Sequence, residues 1–211
     1  MPETQPTPLS QGYTQDARER LAMPAADRLD AAQRAAAQAL IEGPRKGVYG
    51  PFLPLLRTPA LLERVAKVGE YLRFDSGLDA RIRELATCVA ARHVSNQFEW
   101  TMHAPLAVKA GVSADAIDAL RLGARPRQLA PDEELTLDFT RELLHSHGVS
   151  EPTYRAAEQA FGEAGVVELT TLVGYFVMVS WLMNVARTPA QAGAAGPGIC
   201  LLYTSPSPRD S

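Results

Sequence analysis

Cysteine is scarce in this chain. Two stand among 211 residues, Cys88 and Cys200, and the second lies in "CLLYTSPSPRD" (200–210), which resembles the translation of a transposase-adapter sequence used in DNA library preparation. Residues 200–211 are therefore expected to be a non-native adapter translation in place of the native C-terminal sequence. With Cys88 alone, no intramolecular disulfide, C-x-x-C redox pair or cysteine zinc site can be built. An excess of positive charge is also missing. With 21 Lys and Arg against 24 Asp and Glu, the chain has no basic footprint for nucleic acid or an anionic membrane surface, and neither is expected as a partner. The Pro-rich opening "MPETQPTPLSQGYTQ" lacks the charged-then-apolar order of a secretory signal, so a cytoplasmic protein is expected. There is no H-E-x-x-H pattern, and no metal site is expected.

What is present is helical periodicity. Apolar residues recur at three and four nearly throughout, and the 46% hydrophobic and 21% charged composition is that of a globular protein able to bury a core; the fold class expected is all-α. Pro and Gly mark the boundaries. Residues 1–23 are expected as a disordered or loosely ordered extension, 24–190 as one helical domain, and 191–199 as a flexible tail. Within the domain, an Ala-rich stretch ends at Gly43-Pro44, and "GVYGPFLPLLR" (47–57) is expected to pack down as a loop. Helices are expected after Thr58-Pro59, from about Asp79 to His93, from Asn96 to Gly111, after Ser113, and over 132–146, 151–163 and 166–187. The last contains eighteen uncharged residues, "LTTLVGYFVMVSWLMNVA". That length meets the threshold for a membrane span. Its Thr, Gly, Ser and Asn residues, and the amphipathic helices around it that need a central partner, favour a buried core helix.

The chemistry-bearing residues concentrate between Glu84 and His103. In "NQFEWTMH" (96–103), Glu99 and His103 stand four apart and share a helix face, with Phe98 and Trp100 flanking them. A break near Val94-Ser95 puts Glu84 on the preceding helix, so the three must converge through packing. A carboxylate beside an imidazole raises its pKa and fixes its tautomer, which suits a proton shuttle, and the aromatics would exclude water. A plainer reading stands beside this one: Asn96 and Glu99 form a capping box and His103 is solvated. Cys88, between Leu85 and Val89, reads as a small buried hydrophobe, and His145 and His147, near a helix C-terminus, are given no catalytic role.

The stretch "RELATCVAARHVSNQFEWTMHAPLAVKAGVSADAIDAL", with "GPFLPLLRTPALLERV" before it and "VVELTTLVGYFVMVSWLMN" after it, resembles the carboxymuconolactone decarboxylase family, which includes the alkyl hydroperoxidase D-like proteins. The resemblance covers about residues 40–190. It implies an all-helical bundle that assembles as a trimer or hexamer through the helices holding the site. The hydroperoxidase branch carries an upstream Glu, a C-x-x-C pair and a following His; Glu84 and His103 match the first and last, while Asn96 and Glu99 occupy the cysteine positions. The implied branch is therefore non-redox, although a peroxidase label travels with the superfamily. A decarboxylase-like lyase without a cofactor is expected, acting on a small carboxylated or lactone substrate. Glu84, Glu99 and His103 would be catalytic, Arg57 or Arg92 would hold the anion, and Phe98 and Trp100 would line the substrate. Hydroperoxidase activity through Cys88, or a non-catalytic helical oligomer that binds a small ligand, are the alternatives.

Overall fold

Caps and turns set where each helix begins, and through them where the polar residues land. The computed structural model describes residues 18–190 and 198–199. Among these it is all-α, with no strand. After a short 3₁₀ turn at Ala26–Arg28, α1 (Ala31–Glu42) starts on Asp30, whose side chain accepts from the Gln33 backbone while Gln33 returns the bond, a complete capping box. The segment 47–57 packs down but is not all loop. It holds the short helix α2 (Phe52–Leu55), because Pro51 and Pro54 fall in a first turn, where their missing N–H groups have no helical acceptor to lose. α3 (Pro59–Glu70) follows, its Pro at the first position. It runs into a π-turn, Tyr71–Asp75.

α4 (Ala80–His93) is capped by the Asp79 side chain. The expected break after it lies at Ser95, whose φ of 53° turns the chain through the left-handed region. Asn96 then caps α5 (Gln97–Ala110) by accepting from the Glu99 N–H at 2.8 Å. α6 (Ala114–Arg121), α7 (Pro131–Ser146) and α8 (Glu151–Ala186) complete the fold. Gly162, at φ 71° and ψ 169°, interrupts α8 near where a boundary between two helices was expected.

α4 is the central helix. Leu85, Ala86, Cys88, Ala90 and Ala91 expose no surface, and the alanines let neighbouring helices approach closely. Arg81 fastens α4 to α7 through Asp132 at 2.5 Å and Glu133 at 3.0 Å. On α8, Glu168 accepts from Tyr71 at 2.5 Å and Ser76 at 2.7 Å, anchoring the π-turn. α8 is long and apolar enough to cross a membrane by length and composition, and half of its most apolar stretch is buried inside the protein.

Two terminal segments depart from expectation. Residues 20–22, expected to be loosely ordered, are tied down: the Arg20 N–H donates to the Ala186 carbonyl at 2.8 Å, and Arg57 donates to the Leu21 and Ala22 carbonyls. Ile199, expected in a flexible tail, is buried and exchanges two backbone hydrogen bonds with the Gln97 side chain, at 2.8 and 3.1 Å. The buried Gln97 amide offers both a donor and an acceptor, and the Ile199 backbone satisfies both. The remaining residues of the expected extension and tail, and the adapter-like stretch, lie outside the described residues.

Candidate functional site

α4 carries Glu84 and α5 carries Glu99 and His103, and the turn at Ser95 folds one helix back along the other. The three side chains meet. His103 Nδ1 lies 2.6 Å from Glu84 Oε2 and Nε2 lies 3.3 Å from Glu99 Oε2, so the ring sits between two carboxylates. The capping-box reading of Glu99 fails on geometry: the Asn96 N–H that such a box would use donates to the Ala91 carbonyl at 2.9 Å. Asn96 does cap the helix, and the Glu99 carboxylate is free for the imidazole. His103 and Glu99 are buried, and the Phe176 ring meets the imidazole edge-on with centroids 4.8 Å apart. Burial opposes charging of the ring, but the fields and hydrogen bonds of Glu84 and Glu99 outweigh it and push its pKa up to about 9. At neutral pH the ring is an imidazolium that donates through both nitrogens.

His103 and Glu99 line a small cavity of about 30 Å³, room for roughly two water molecules. Phe98 lines it too and is kept there by Gly50: at φ +59°, a Cβ on Gly50 would lie 2.6 Å from the Phe98 ring. Three expected residues are elsewhere. Trp100 is buried in the apolar cluster with Leu85, Ile117 and Leu137. Arg57 turns to the surface, where its guanidinium serves the carbonyls of Leu21, Ala22 and Leu53. Arg92 projects toward α6 and donates to the Leu120 carbonyl at 3.1 Å. None of the three lines the cavity. Cys88 is fully buried, and burial, then the nearby Glu84 charge, push its thiol well above the usual range. Both imidazole nitrogens are committed to carboxylates, and among the described residues no group of three or more His, Cys, Asp or Glu side chains is arranged to hold a metal ion.

The cavity has polar residues that sequence reasoning missed: Arg45, Tyr49, Arg73 and Tyr175. Tyr175 is a hydroxyl inside the most apolar helix, and burial pushes its pKa up to about 12 against the pull of Arg45. That lone phenol in an uncharged run, and an arginine set between Gly43-Pro44 and the apolar 47–57 segment, were the available signals.

Residues 59–142 match the model of the carboxymuconolactone decarboxylase family. The match includes Glu84, Glu99 and His103 but neither Arg45 nor Tyr175. Among curated proteins, none matches the chain. Two solved structures share the fold. One is a protein of unknown function from Agrobacterium tumefaciens assigned to antioxidant defence as a candidate AhpD, 16% identical, with TM-score 0.58 over 65% of this chain and 94% of that one. The other is the alkylhydroperoxidase AhpD core of an uncharacterized peroxidase-related protein from Ralstonia eutropha, 18% identical, with TM-score 0.60 over 82% of this chain and 92% of that one. The segment 59–142 is thus matched by the carboxymuconolactone decarboxylase family, and the chain around it has the helical fold of the AhpD-like structures.

Proposed function

We propose that the protein is a decarboxylase-like acid–base enzyme of this superfamily, acting on a small carboxylated or lactone substrate with His103 as the proton donor. One observation carries the reading: a buried imidazole held between two carboxylates at a cavity wall. Such a ring is charged at neutral pH and therefore an acid. In the reaction, the bond from carbon to carboxylate breaks, CO₂ leaves, and the electron pair passes to an adjacent carbonyl. The carbon then takes a proton from Nε2, which is held by the longer of the two contacts. Glu84 fixes the ring and Glu99 steadies the departing proton. The cavity admits a reacting head group, and a whole lactone acid requires it to widen.

The hydroperoxidase alternative needs a thiolate, and Cys88 is neither ionised at neutral pH nor at the cavity. The test is to assay purified protein for CO₂ release from lactone acids and β-keto acids, beside His103→Ala and Cys88→Ala. Turnover lost in the first and kept in the second supports the reading; the reverse pattern establishes thiol chemistry in its place.

Self-assembly belongs to the same proposal. The exposed face of α8 carries Val167, Thr171, Gly174, Met178, Trp181 and Val185, spaced four and three residues apart in alternation. That spacing is a helix-packing seam, and it suits a second copy in a trimer or hexamer.

A further inference from the structure

The cavity holds cationic groups that the proton chemistry does not use. Arg45 enters from the segment after α1; its side chain is 4% exposed, it donates to the Ala66 carbonyl at 3.1 Å, and its plane lies 4.4 Å over the Phe52 ring. Its Nε is buried with no hydrogen-bond partner, the nearest carboxylate being Glu70 at 3.7 Å. Arg73, presented by the π-turn, likewise has a buried Nε with no hydrogen-bond partner. A guanidinium cannot shed its charge, and a buried N–H left unpaired costs about 1–3 kcal/mol. Both arginine side chains also line the cavity, where their charge suits an anionic ligand that accepts from both guanidinium groups.

Tyr175 completes the set. Its oxygen accepts from Arg45, so its own proton is available to a ligand. The pair is seated over Gly69, in the interior of α3, where a Cβ would come within 2.1 Å of the Tyr175 hydroxyl and 2.8 Å of Arg45 Nη2. Of the carboxylates nearby, Glu70 stands 3.7 Å from Arg45 Nε, beyond hydrogen-bond distance, and Glu99 is held on His103.

We infer that Arg45, Arg73 and Tyr175 form an oxyanion subsite, which holds an anionic substrate oxygen, carboxylate or enolate, within reach of the His103 proton. The forked, planar guanidinium matches two oxygens of one such group. The assignment rests on the proposed reading for its role in a reaction, but binding can be measured without turnover.

The experiment is calorimetric titration of the full chain with acetate, with ethyl nitronate as a planar carbanion analogue, and with acetamide as a neutral control of similar size. Either anion is expected to bind and acetamide to give no heat. Arg73→Gln, and separately Arg45→Lys, which retains charge in the buried position but removes the fork, should each weaken anion binding roughly tenfold or more, with circular dichroism showing the fold intact. Tighter acetate assigns the subsite to a carboxylate, and tighter nitronate assigns it to the oxygen that gathers charge as CO₂ leaves. Acetamide binding as well as the anions, no anion binding at all, or folded variants that bind as wild type would overturn the inference. Anion binding that persists in a protein with no His103-dependent CO₂ release would remove the decarboxylase reading and leave the subsite standing.

Discussion

His103 has two donors and two carboxylates, and its chemistry follows from that count. Replacing it with Gln, or Glu99 with Gln, should lower turnover by roughly a hundredfold or more, the usual size of a general acid's contribution, while Cys88→Ala keeps most activity. Stability gives a check independent of substrate. The folded ring titrates near 9 and an unfolded histidine near 6.5. A raised pKa stabilises the fold fully below the unfolded value, and that contribution, about 3 kcal/mol, is lost as pH rises from about 6.5 through about 9. Urea midpoints measured across that window should fall in the wild type more steeply than in His103→Gln; parallel curves would mean that the ring is neutral in the fold. Glu84, Glu99 and His103 were legible in the sequence because two are helical neighbours and the third precedes a recognisable break. Arg57 and Arg92 were chosen by residue type alone, and side-chain direction is what type does not carry. Arg45 and Tyr175 are 130 positions apart in sequence, and only packing brings them together.

At the scale of helices, local signals sufficed where a boundary is made locally. Asp30, Asp79 and Asn96 cap by short-range bonds, and the start of α3 and the ends of α4 and α5 fell close to expectation. α2 did not, because prolines in a first turn look like breakers when counted by composition. Asn96 also works across helices: its amide donates to the Ser180 carbonyl at 3.1 Å and to Asn184 at 2.9 Å, joining the start of α5 to α8. Asn96→Ala therefore removes a cap, worth about 1 kcal/mol, and two further bonds to α8, so a loss of roughly 2–3 kcal/mol is expected in chemical denaturation. Gly69→Ala tests a second junction. A glycine inside a helix ordinarily costs about 1 kcal/mol relative to alanine, yet here the added methyl meets Tyr175 and Arg45. The variant should melt lower than wild type, by the equivalent of about 1–3 kcal/mol typical of overpacking; a higher melting temperature would show that the two side chains yield.

At the scale of the whole molecule, the described residues leave an apolar face of α8 uncovered. Trp181 is 60% exposed and Val167 65% on the outer stripe of α8, and large contiguous apolar patches mark interaction surfaces. Sedimentation velocity should give a species at a multiple of 22.8 kDa, and Trp181→Glu should shift it toward the single chain. A wild-type protein that sediments at the single-chain mass would sink the assembly proposal. If His103 gives up the proton as proposed, the Glu84 contact bears on how often the site can act. At 2.6 Å it pins one ring nitrogen, and the Phe176 edge leaves the imidazole little room to flip over. The nitrogen that gives up its proton must then also be the one that regains it, from the cavity side. While product fills that space no water can reach it. In the proposed reaction, reloading therefore waits for the product to depart, expected to show itself as a turnover rate that slows when sucrose thickens the medium.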